Sequence, residues 1–241
     1  MQKKIKIIST IAVSLTLVFN TLCVMAADQQ RSWTDTVVKE IVDTDDLIER
    51  AKAGIDDFKE VTGRDFNVYV EAKMPTAESE GLDLTNSMEI YKTSQYLGKI
   101  VNEDGGYDDL YVLEGIVAYP IHDVTQGGTY GNCTLTTKMY FQFSENYSSM
   151  ARMINSTGKV TGSLHPVSMF MENRVYDWDN DSNHYNSNTV ITPTSGTTYT
   201  LYPSYYGAVD TNLGTLDAKN TAYFSGGGSL SVGVDFTMYM P

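Results

Sequence analysis

A thiol, an imidazole and a carboxylate following one another along the chain are the first residues to weigh for chemistry. Cys133, His165 and either Asp177 or Asp179 supply them. The imidazole would take the thiol proton, the carboxylate would orient the imidazole, and the thiolate would attack an acyl carbon. A second set is Asp177, Asp179, Asp181 and Asn183, oxygen-bearing side chains at alternate positions that suit convergence on one hard cation such as calcium. A third is aromatic. Tyr202, Tyr205 and Tyr206 sit in one turn-like run, with Trp178 and further tyrosines at 176, 185, 199 and 223, all among Asn, Ser and Asp. Such rings offer apolar contact area at low entropy cost and keep a hydrogen-bonding tip, the material of carbohydrate-binding and protein-binding surfaces.

The order Cys, His, Asp is similar to that of transglutaminase-like enzymes and their protease relatives. Those enzymes begin a helix at the nucleophile, where the dipole lowers the thiol pKa. Cys133 instead opens an alternating, Thr-rich strand pattern, and Pro166 directly after His165 suits a strand start. Burial is therefore the expected state of Cys133, and acyl transfer by Cys133 and His165 is the alternative function. The acidic run departs from an EF-hand loop at Ser182, where the turn wants glycine, and at Asn188, where a bidentate glutamate should close the site. A hydrated hairpin built on Asx turns accounts for the same residues, so the sequence requires no cofactor and suggests calcium alone. His122, His165 and His184 have no zinc spacing, and no phosphate loop, serine elbow or metalloprotease helix is present.

Lys3, Lys4 and Lys6 followed by the apolar run Ile7 to Met25, with a small-residue site at Ala26 or Ala27, predict a secretory signal peptide over residues 1–27. The mature chain is expected to begin near Asp28, secreted and without stable membrane insertion. Loss of the three lysines takes the formal net charge from -13 to -16. Nucleic acid is disfavoured as a partner by the missing basic face, and an anionic membrane would repel the chain. Cys23 leaves with the signal, so Cys133 has no partner for an internal disulfide and stability must come from a packed core.

The elements that must position these residues follow from hydrophobic period. A helical segment over 28–63 is signalled by Ser32 and Asp35 at capping-box spacing, by Val37, Ile41, Ile48, Ala51, Ile55 and Phe58 at helical intervals, and by the stop at Gly63. Asp43 and Thr44 form a second cap, which leaves open one helix or two pieces broken near Thr44. From residue 64 the period is two. Phe66 to Met74, Leu110 to Tyr119, Cys133 to Phe143 and Leu230 to Met240 read as strands, with shorter candidates at 159–162, 167–171, 189–192 and 197–202. Pro75 to Leu84 reads as an acidic loop and Asn102 to Asp109 as a turn. An antiparallel β-sandwich or barrel over 64–241 with an N-terminal α-helical segment is expected, with an internal boundary to be looked for near 120–130.

The leading functional expectation is a secreted, non-enzymatic binding module for an extracellular carbohydrate, protein or cell-envelope ligand, with Trp178, Tyr202, Tyr205 and Tyr206 as the contact residues. Besides the cysteine enzyme, a membrane-active or self-assembling protein is a third class, motivated by the amphipathic strand 230–240.

Overall fold

Acidic caps decide the N-terminal region. The Asp43 side chain accepts from the amides of Asp45 and Asp46 and starts α1 at Thr44–Lys52. Gly54, with φ of 71°, ends that run, and Asp56 caps a short second helix, α2, at Asp57–Thr62. Gly63 closes α2 in the left-handed region with φ of 69°, the conformation glycine adopts without strain. Of the two alternatives, the segment is thus broken, and a further break falls between α1 and α2. Residues 39–43 are not helical, and Leu47 rather than Ile48 is the fully buried apolar residue of α1.

The structure is a computed structural model that describes residues 39–73, 88–101, 107–123, 129–144, 150–177, 181–205, 209–210, 214–225 and 227–237. The signal peptide, the Ser32 cap, the acidic loop 75–84 and Met238 and Met240 lie outside them. Among the described residues no helix is long and apolar enough to cross a membrane.

The strands are β1 Asn67–Lys73, β2 Glu89–Val101, β3 Tyr107–Asp123, β4 Thr129–Ser144, β5 Met150–Gly162, β6 Ser168–Asp177, β7 Ser182–Ile191, β8 Thr198–Leu201, β9 Val209–Asp210, β10 Gly214–Tyr223 and β11 Ser229–Thr237. They form two antiparallel sheets facing one another, ordered β1-β11-β10-β6-β7 and β2-β3-β4-β5-β8, with β9 pairing to β5. Neither closes on itself, so the architecture is a β-sandwich and not a barrel. Tyr107 to Asp109 belong to β3 instead of a turn. On either side of residues 124–128, which lie outside the described residues, β3 and β4 pair within one sheet, with His122 opposite Tyr130.

The core forms as the alternation in β4 requires. Cys133, Leu135, Met139, Phe141 and Phe143 point between the sheets and are buried, meeting Val232, Val234 and Phe236 of β11. Phe58 of α2 inserts among them, its ring centroid 5.1 Å from Tyr111, 5.3 Å from Phe141 and 5.1 Å from Phe236, all edge-to-face. The same helices protect the free edge of β2, which would otherwise expose unpaired backbone groups. Arg50 Nε and Nη2 donate to the Ser94 carbonyl at 3.3 and 3.0 Å, Asp57 Oδ2 accepts from Tyr96 N–H at 2.9 Å, and Phe58 N–H donates to Ser94 Oγ at 2.8 Å.

Candidate functional site

Cys133 is fully buried at the start of β4, facing the second core cluster. Burial pushes its thiol up to about 12, the opposite of what a thiolate nucleophile needs. His165 is exposed in the connection between β5 and β6. Mild alkylation at neutral pH is expected to leave the native thiol unmodified and to label it only after denaturation, as read by intact-mass measurement.

Asp177 ends β6 opposite Ser182, the first residue of β7, so the acidic run spans the connection of those two paired strands. Asp181 Oδ1 accepts from Tyr176 OH at 3.0 Å, Asn183 lies opposite Tyr176 in register, and Asp179 lies outside the described residues. No group of three or more His, Cys, Asp or Glu side chains converges as a metal would need among the described residues. Of the aromatic set, Tyr202 is exposed, and its carbonyl accepts from Asn186 Nδ2 at 2.7 Å. Tyr205 turns the other way, stacked on His184 with centroids 4.1 Å apart and packed against the core. Trp178 and Tyr206 lie outside the described residues.

A different aromatic site emerges on the outer face of the β1-β11-β10-β6-β7 sheet. Tyr69 of β1 is in register with Gly233 of β11. Its ring lies across that glycine so closely that a Cβ built there would stand 2.2 Å from Tyr69 Cζ. Glycine in a strand interior marks such close approaches. The ring is fixed in place by its hydroxyl, which donates to Asp217 Oδ1 of β10 at 2.7 Å. Burial and the neighbouring carboxylate raise the Tyr69 pKa above the ordinary phenol value, so the donor proton stays on the oxygen.

The rim of this ring is charged. Asp217 and Asp235 stand directly opposite one another on β10 and β11, a like-charge pair that costs stability. Burial pushes the Asp217 carboxyl up to about 6, with Asp235 adding to the rise and the Tyr69 hydroxyl opposing it. Asp235 accepts from Asn67 Nδ2 at 3.2 Å, and Lys219 Nζ lies 3.2 Å from Glu71 and 5.9 Å from the Tyr69 ring centroid. Further along the face, Tyr185 of β7 is exposed and donates its hydroxyl to Glu172 Oε2 at 3.0 Å. No protein-family model, curated protein or solved structure matches the chain.

In the sequence Tyr69 is one of the alternating residues of the strand Phe66 to Met74, and no motif singles out Gly233 or Asp217. The signal available was one glycine inside the otherwise well-patterned last strand; its partner across β1 depends on register, which sequence period alone does not specify.

Proposed function

We propose that this is a secreted, extracellular binding module that takes a carbohydrate on the outer face of the β1-β11-β10-β6-β7 sheet, with Tyr69 as the stacking platform. The observation that carries the reading is the Tyr69 ring lying across Gly233 and fastened to Asp217, beside an opposed carboxylate pair. A flat ring suits the apolar face of a pyranose. The surrounding carboxylates, amide and ammonium suit its hydroxyls, which donate and accept at once. A protein partner fits less well, because the centre of a protein–protein interface is depleted in charge and this centre is not. From Tyr69 on β1 to Tyr185 on β7 the face crosses four strand spacings, roughly 19 Å, room for several linked sugars. The acidic balance, -13 for the whole chain, disfavours acidic glycans and nucleic acid. Secretion rests on the basic start and apolar run of residues 3–25.

The test is titration of the purified chain against neutral oligosaccharides, read by calorimetry after a glycan-array screen. Saturable binding of a neutral glycan is expected, weakened at least about tenfold by Tyr69→Ala. An array in which no neutral glycan binds, or a Tyr69→Ala chain with wild-type affinity, would count against the reading.

A further inference from the structure

The outer face of the other sheet is not bare. Residues 39–43, ahead of α1, reach it as a short strap and meet polar groups instead of an apolar core. Ile41 exchanges two hydrogen bonds with the Gln95 side chain of β2: its N–H donates to Oε1 at 2.8 Å and its carbonyl accepts from Nε2 at 3.0 Å. Glu40 Oε1 accepts from Lys138 Nζ at 2.6 Å and from Tyr140 OH at 2.7 Å, both on β4. Lys138 Nζ also donates to the Ile41 carbonyl at 3.2 Å and lies 2.9 Å from Glu114 Oε1 of β3. Gln95 Nε2 donates to that same Glu114 oxygen at 2.7 Å. Glu114 is fully buried, and its second oxygen, Oε2, has no hydrogen-bond partner among the described residues.

One ammonium therefore stands between two carboxylates, one from the strap and one from the sheet. With both carboxylates ionised the group carries a net negative charge and an orphan oxygen out of water, the costly arrangement. A proton on Glu114 removes the excess charge and leaves Lys138 to Glu40. Burial accordingly pushes the Glu114 carboxyl up to about 7, against the pull of Lys138 and Gln95. The groups that face it are Lys138 and Tyr140 from β4, Glu40 from the strap, and the uncharged Gln95 and Thr93 from β2. Lys159 of β5 and Thr44 and Leu47 of α1 line a small cavity, about 50 Å³, beside Lys138.

We propose that the strap is a proton-latched cover, closing over Lys138 while Glu114 holds a proton and lifting as Glu114 ionises, which uncovers the polar face of β2, β3 and β4. With the strap lifted, Glu114 is hydrated and titrates near the ordinary 4.5; with it closed, the group titrates near 7. Between those values the closed state binds more protons, so closure is favoured below the lower value and weakens as pH rises through the higher one. From about pH 6 to about pH 8 the opening constant is expected to grow about tenfold. This latch lies on the opposite sheet from the Tyr69 face and stands or falls without it.

Hydrogen exchange on the full chain reads the latch at the Ile41 amide. Its protection, corrected for the intrinsic exchange rate, is expected to fall about tenfold between about pH 6 and about pH 8, while the amides in the middle of β4 keep theirs. In Glu114→Gln, where the side chain cannot ionise, Ile41 protection is expected to stay level over that range. A wild-type Ile41 protection that does not change with pH overturns the proposal even if the variant fails to fold, and so does a Gln variant that loosens as the wild type does.

Discussion

Replacing Phe58 with alanine is expected to destabilise the chain by about 3–5 kcal/mol, seen as a lower urea midpoint with little change in slope. Phe58 is the one side chain of α2 that is fully buried. It fills the space between the sheets at the aromatic cluster, against Tyr111, Phe141, Phe143 and Phe236. Truncation leaves a cavity whose walls come from β3, β4 and β11, and strands paired on both sides have little freedom to collapse into it. The loss is a large share of the roughly 5–15 kcal/mol that holds a domain folded. It also frees the helices that satisfy the Ser94 carbonyl and the Tyr96 amide on the edge of β2, so concentration-dependent association through that edge is expected to accompany the loss of stability. Val61 in the same helix is exposed; Val61→Ala is expected to change stability by no more than about 0.5 kcal/mol, which separates loss of the plug from loss of helix propensity.

The strands whose inner residues are large and whose outer residues are polar were legible. Cys133, Leu135, Met139, Phe141 and Phe143 sit inside as their period of two demands, and so do Leu230, Val232, Val234 and Phe236. Among the elements that escaped, wholly or in part, β10, β2, β5 and β7 show the physical reasons. Of the inward residues of β10, Gly214, Leu216, Ala218, Asn220 and Ala222, only Leu216 is large and apolar, too little to show a hydrophobic period. In β2 the register shifts between Tyr96 and Gly98, which breaks the alternation. The early part of β5 is interrupted likewise, across from Tyr140 and Phe141, and carries buried Ser156 inside, donating to Asn173 Oδ1 at 2.5 Å. At the edge of its sheet, β7 carries polar residues on both faces. The buried amide nitrogen of Asn220 finds its acceptors, Thr137 Oγ1 at 2.7 Å and the Thr157 carbonyl at 3.1 Å, far along the chain. No local pattern announces such pairs.

The two sites were hidden in different ways. Glu114 interrupts the apolar run of β3, and a charge at such a place implies a partner. That partner, Lys138, and the covering Glu40 come from other elements and are brought together only by register and by the helical segment folding back. The tyrosines of the late region were conspicuous in composition, yet composition is blind to direction. Tyr205 packs inward on His184, while Tyr69, unremarked among alternating residues, lies across Gly233 on the outer face of its sheet.

Gly233→Ala is the sharpest test of the platform and is expected to abolish stacking while leaving the sandwich folded. The backbone at Gly233 is not among those with positive φ, so alanine is compatible with it. The new Cβ would stand 2.2 Å from Tyr69 Cζ, 2.5 Å from its hydroxyl oxygen and 2.6 Å from Cε1. These atoms are the far end of a side chain at the sheet surface, and the ring swings off the face in response. Asp217 then loses its donor, a cost of about 1.5–3 kcal/mol for a hydrogen bond to a charged group. Alanine in place of glycine in a strand returns roughly 0.5–1 kcal/mol, so the net change in stability is expected to be about 1–2 kcal/mol. Glycan affinity, by contrast, is expected to fall at least about tenfold, as far as in Tyr69→Ala, because both variants leave no flat ring for a pyranose. Tyr69→Phe is expected to fall between them and wild type, since it keeps the ring but loses the anchor on Asp217. Calorimetric titration beside urea unfolding separates the two readouts. A Gly233→Ala chain that binds as tightly as wild type would show that the ring over β11 is packing alone.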